Sequence, residues 1–141
     1  MNPPTPTQTP IDRIPFLRLL GMQQHPSPPG QSEISLPELK PEHCNLLPAA
    51  HGGVIMTLLD VAMARAATSA AGAASSSVVT VEMSSRFITP GRGPLVASGR
   101  VLHGGGSLCT CQADVRQPDG TLVASAMGTF KYWKAPLGGI E

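Results

Sequence analysis

The stretch "HGGVIMTLLDVAMARAA", His51 to Ala67, places two kinds of chemistry close together. Gly52 and Gly53 open an apolar run with room for a helix, and glycines at a helix start let a ligand approach the free N–H groups of the first turn. Those groups carry partial positive charge and suit an oxygen that becomes negative in a transition state. One carboxylate, Asp60, then stands in the middle of the apolar run. Aspartate is a poor helix former and its burial without a partner is costly, so the position asks for a reason. Arg65 lies five residues on, about 140° around a helix, and is poorly placed to pair with it. A carboxylate desolvated among Met56, Leu59 and Met63 is strengthened as a base. From the residues alone, a structural pair with a distant arginine stays open for Asp60, and a plain tight turn stays open for the glycines.

The elements that must position these groups follow from pattern. Between Cys44 and Val81 the only charged side chains, with histidine neutral, are Asp60 and Arg65, which predicts a buried central helix of about 20 residues. "TSAAGAASSS", Thr68 to Ser77, frays that helix or links it onward. Upstream, "IDRIPFLRLLGMQ" reads as a short apolar helix with Pro15 in its first turn and Gly21 as its stop. "HPSPPG" is a turn, and Ile34 and Leu36 flank Ser35 in a first strand ending near Pro37. Downstream, strands are expected from Val78 to Ile88, Leu95 to Leu102 and Leu108 to Arg116, separated by "TPGRGP" and "HGGGS". The Asp-Gly of "QPDG" then turns the chain into a last strand, "TLVASAMGTFKYW". A long helix followed by hairpin-connected strands means an α+β fold with an antiparallel sheet.

Bulk properties narrow the function classes. A chain of 141 residues suits one domain, here residues 11–141, behind a proline-rich tail at residues 1–10 expected to be disordered. A net charge of +1 with 13% charged residues does not supply the basic surface that nucleic acid requires. Hydrophobic content of 41% beside so little charge favours burial between subunits. Asp60 and Arg65 interrupt the best membrane-crossing candidate, so no membrane association is expected. The opening residues do not resemble a secretory leader, and the odd count of three cysteines then points to reduced thiols in the cytoplasm. Cys109 and Cys111 share one face of a strand and suit core or interface packing, because no further Cys or His pair at suitable spacing completes a zinc site.

This order of elements, with "HGGVIMTLLDVAMARAA" on the long helix and "VTVEMSSRFITP" on the next strand, resembles the hotdog-fold acyl-CoA thioesterases. It is most similar to the PaaI-type branch, associated with phenylacetic acid degradation, whose pattern is HGG with an acidic residue eight positions after the first glycine, as Gly52 and Asp60 stand here. The resemblance spans Ile11 to Trp133. It implies an antiparallel sheet wrapped around a long central helix, and a homodimer or homotetramer with active sites at the dimer interface. The implied activity is hydrolysis of aryl- or medium-chain acyl-CoA without metal or redox cofactor. A non-catalytic acyl-CoA-binding or scaffold protein is the competing reading.

The resemblance also assigns roles. The Gly52 N–H becomes the oxyanion donor, with Gly53 beside it contacting substrate, and Asp60 of one subunit acts on a thioester polarised by its partner. His51 orients the loop or touches the thioester, Asn45 contacts substrate or the attacking water, and the Thr80 hydroxyl positions water. Each of these three also has an ordinary structural explanation, as a loop residue, a turn cap or a β-branched strand residue. The phosphates of coenzyme A need positive charge or N–H donors. Relatives often place a lysine or arginine in the turn where this chain has Gly106. In its stead His103 with the backbone of Gly104, Gly105 and Gly106 is expected to form an anion nest, with Arg86, Arg92 or Arg100 adding charge.

Overall fold

Pro15 opens a six-residue helix, α1 (Pro15–Leu20), where its missing N–H costs nothing, and Gly21 ends it in the left-handed conformation at φ 79°. The computed structural model describes residues 9–72 and 77–133. The tail expected at residues 1–10 lies outside the described residues up to residue 8, as do residues 73–76 of the link and the chain beyond Trp133. Strand β1 (Gln23–His25) pairs with β2 (Gln31–Leu36) across the proline-rich turn. Then come the long helix α2 (Gly52–Ala71) and strands β3 (Ser77–Phe87), β4 (Leu95–Gly104), β5 (Leu108–Arg116) and β6 (Leu122–Trp133). The strands form one antiparallel sheet in the order β1-β2-β4-β5-β6-β3. This is the α+β arrangement that the sequence pattern predicts, with α2 at its expected length of 20 residues. The polar triplet "QQH" of β1 has no strand signal and pairs only because β2 lies beside it.

Helix α2 lies across one face of the sheet. Leu58, Leu59, Ala62, Met63, Ala66 and Ala67 are fully buried, against Ile34, Leu36, Leu95, Ala97, Val115, Ala124 and Phe130 of the sheet. By length and mean hydropathy, 1.4, α2 would pass for a membrane-crossing segment despite Asp60 and Arg65. Its packing against the sheet identifies it as the core helix instead. The approach is closest at Gly99 of β4, where a Cβ would collide with the Ala62 carbonyl, and Ser32 Oγ donates to that same carbonyl at 2.5 Å. Cys109 and Cys111 both face this core with their sulfurs 3.7 Å apart, and burial beside Cys109 pushes the Cys111 thiol up to about 12.

Strand β3 carries an irregularity that matters for the site. Thr80 pairs with Phe130 and Glu82 with Thr129, so Val81 is an extra residue in the ladder. Side chains alternate along a regular strand, and Thr80 and Met83, three apart, would then point to opposite faces. The bulge sets both on the face that α2 covers, with Ser85 and Phe87, because their partners Phe130, Gly128, Ala126 and Ala124 are all buried there.

Candidate active site

The loop before α2 is tied down by its own polar groups. His43, a buried residue without sequence signal, accepts the Lys40 N–H at Nδ1 (3.0 Å), and its carbonyl accepts the His51 N–H (2.7 Å). Asn45 Oδ1 accepts from the N–H groups of Leu47 (2.8 Å) and Ala49 (3.0 Å), so it shapes this loop and any substrate role falls to its NH2 group. His51 is the N-cap of α2: its Nδ1 accepts the Gly53 N–H at 2.9 Å, and its carbonyl accepts from Val54 and Ile55. The Gly53 N–H is therefore spent on the cap, and any substrate contact at Gly53 falls to its other atoms. Gly52 alone in this first turn keeps an N–H with no acceptor among the described residues. A helix start with one unclaimed donor is an anion site in miniature.

Asp60 is half-buried. Leu59 and Met63 beside it face the core, but Met56 is exposed, so in a single protomer the carboxylate is not desolvated as expected. Its partner is Thr80, whose Oγ1 donates to Asp60 Oδ1 at 2.6 Å across the α2–β3 contact that the bulge creates. At the other end of the same contact, Phe87 lies beside Gly52, so α2 runs antiparallel to β3 with Gly52 and Asp60 both near that strand. Eight residues separate them, about 12 Å along the helix and about 80° around it. Within one protomer the N–H and the carboxylate do not reach a common carbonyl group.

The charged candidates divide by location. Arg92 sits at the site's edge: its guanidinium donates to the Leu47 carbonyl (3.2 Å), next to the point where Ala50 N–H meets the Gly91 carbonyl. Arg86 opposes Ser125 and bonds Ser84 Oγ on the face of the sheet turned away from α2. Arg100 bonds Gln112 on that same outer face. In the expected anion nest, none of Gly104, Gly105 and Gly106 takes the left-handed conformation, and the Gly105 N–H is already taken, closing the turn onto the Leu108 carbonyl at 2.8 Å. His103 is exposed on β4 and belongs to that turn's end of the sheet. The structure does not bring His103, Arg86 and Arg100 together with Arg92.

Known proteins share this frame. The structure of the conserved protein PA5202 from Pseudomonas aeruginosa superposes with a TM-score of 0.78 at 32% identity, over 84% of this chain and 93% of that one. The PaaI protein of Escherichia coli, from its phenylacetic acid degradation operon, gives a TM-score of 0.76 at 21% identity over 89% and 86%, a likeness of fold. A Saccharolobus solfataricus protein named "Putative esterase SSO2140" is 32% identical over 81 residues; the match takes in 57% of this chain and little more than half, 56%, of that relative. The family described as Thioesterase superfamily matches residues 47–124, from the loop before the glycines through α2 and into β6. That segment holds the capped helix start, Asp60 and its Thr80 partner, and by it the chain, a hotdog sheet around one long helix, belongs to the thioesterase superfamily.

Proposed function

We propose that this protein is an acyl-CoA thioesterase of the PaaI-type branch, releasing a free aryl or medium-chain acid and coenzyme A without metal or redox cofactor. The observation that carries this reading is the combination, on one helix, of an unclaimed N–H at Gly52 and a carboxylate at Asp60 already oriented by a hydroxyl. The Gly52 N–H stabilises the thioester oxygen as it gains negative charge. Asp60 takes a proton from water as that water adds to the carbonyl carbon, or adds to the carbon itself to give an anhydride that water opens. In both routes the C–S bond breaks and coenzyme A leaves as its thiolate. Thr80 occupies Oδ1 and leaves Oδ2 for the reaction. Arg92, exposed beside the loop that precedes the glycines, is the cation we assign to the coenzyme A phosphates.

The spacing of Gly52 and Asp60 requires a second copy to complete each site. β3 supports this: it is an eleven-residue edge strand with Val79 and Val81 exposed, and a long open edge favours addition of another strand. A cytoplasmic homodimer, or a tetramer built from it, is the form we assign.

Thiol release from a panel of aryl and aliphatic acyl-CoAs tests the reading, comparing wild type with Asp60→Asn at matched oligomeric state. The asparagine oxygen still accepts from Thr80, so the fold is kept while turnover falls by about 10²-fold or more. Binding of acyl-CoA with no wild-type turnover of any thioester would instead establish a non-catalytic binder. In a single turnover in ¹⁸O-water, label in Asp60 shows an anhydride opened at the aspartyl carbonyl, since the general-base route and opening at the acyl carbonyl both place the label in the product acid.

A further inference from the structure

Phe87 is the last residue of β3 and pairs with Ala124, a buried residue under α2, so its ring lies on the helix side of the sheet. A methyl group built on Gly52 would sit 3.6 and 3.7 Å from two of the ring carbons, which is van der Waals contact. Yet Phe87 as a whole residue is 52% exposed. One side of it rests against the start of α2 and the rest is open. Met56, one helical turn beyond Gly52, is also exposed, and Ser85 lies two residues before Phe87 on the same face of β3. Gly52 with its unclaimed N–H, Met56 and Phe87 thus lie together where the start of α2 meets the end of β3, with Met56 and Phe87 exposed.

A thioester carbonyl held by that N–H has two substituents, the acyl group and the carrier arm. The arm carries amides and phosphates and needs polar partners, whereas an apolar ring wall satisfies a hydrocarbon. We infer that Phe87 is a specificity-determining residue of this site, its ring forming a planar wall for the acyl group and favouring flat aromatic acyl groups over flexible alkyl ones. This rests on the reading of Gly52 as the oxyanion donor. Offset ring pairs gain beyond their buried area, and a flexible chain loses rotor freedom that a ring has already given up.

The test compares kcat/KM for benzoyl-CoA and hexanoyl-CoA in wild type, Phe87→Leu, Phe87→Met and Phe87→Tyr, with binding of both compounds measured by calorimetry. The aryl-to-alkyl ratio is expected to fall about 3- to 10-fold in the leucine and methionine variants and to stay near the wild-type ratio in the tyrosine variant, which keeps the planar face. A ratio that does not move in Phe87→Leu and Phe87→Met overturns the inference, including the case of equal losses for both substrates, which would place the ring on the carrier side. If wild type turns over neither thioester, the parent reading fails, and the ratio of the two binding constants across the same variants decides on Phe87 by the same criterion.

Discussion

Gly52 can give up its N–H without giving up its place in the helix, and this separates chemistry from architecture. It stands at the first position of α2, where proline is favoured because the N–H it lacks has no helical partner. His51 before it has φ −60° and ψ 141°, a conformation that a residue preceding proline readily takes. A Cβ at position 52 meets only the Phe87 ring at ordinary contact distance. Gly52→Pro should therefore keep the melting temperature and the oligomeric state while lowering kcat/KM by about 10²- to 10³-fold, as loss of an oxyanion donor does. Circular dichroism melts beside thiol-release kinetics check this, and full activity would reduce the two glycines to a tight turn. Ser85 offers the converse case. Its buried hydroxyl has no hydrogen-bond partner among the described residues, so Ser85→Ala removes a desolvated group and no bond. Urea unfolding should show unchanged stability or a gain of up to about 1 kcal/mol, and a clear loss would reveal a partner for the hydroxyl. At this scale residue type and spacing made Asp60 and Gly52 legible as candidates. The division of labour at the helix start was not, because whether His51 caps or contacts substrate depends on which N–H its ring accepts.

Among the elements, α2 and β4 meet with almost no space between backbones. Gly99→Ala would drive a methyl into the Ala62 carbonyl and the Ser32 hydroxyl bonded to it, and neither belongs to a long, yielding side chain. Overpacking against a rigid backbone should cost about 2–3 kcal/mol, a fall of roughly 10 °C in melting temperature at fixed protomer concentration. Gly106→Ala, which enters open space, serves as the control and should leave the melt unchanged. The sequence made the start and length of α2 legible because its apolar run begins at a glycine pair, while the small polar residues from Thr68 left its end open. It left the sheet's faces ambiguous. "VVTVEMSSRF" has no clean alternation, and the bulge at Val81 reverses the side on which Thr80 falls relative to the residues after it. Without that register, Arg86 could not be assigned to the outer face or Phe87 to the inner one. The run Gly104 to Gly106 suggested a nest; a glycine permits the left-handed backbone many nests use without requiring it, and none of the three adopts it.

For the whole molecule, the decisive quantity is the distance between two groups on one helix. About 12 Å of α2 separates Gly52 from Asp60, and in the proposed reaction each comes within about 3 Å of one thioester, so that proposal takes one group from each of two protomers. Complementation tests this directly. In a mixed dimer of Asp60→Asn and Gly52→Pro chains, one site receives both lesions and the other receives neither. If the groups act across the interface, mixed dimers isolated through two different affinity tags should recover about half of the wild-type rate, one sound site in two, although each variant alone is inactive. If the groups act within a protomer, every site in the mixture carries a lesion and no activity returns. The exposed apolar residues of β3 and β6, Val79, Val81, Met127 and Trp133, are where the pairing should form. Val81, the bulge residue on the open edge, then provides the second arm: Val81→Lys places a charge there and should shift the protein toward monomer in sedimentation experiments. That monomer should lose thioester turnover even though its own Gly52, Asp60 and Thr80 are intact. A fully active monomer would show that a single chain closes the gap between its own N–H and carboxylate.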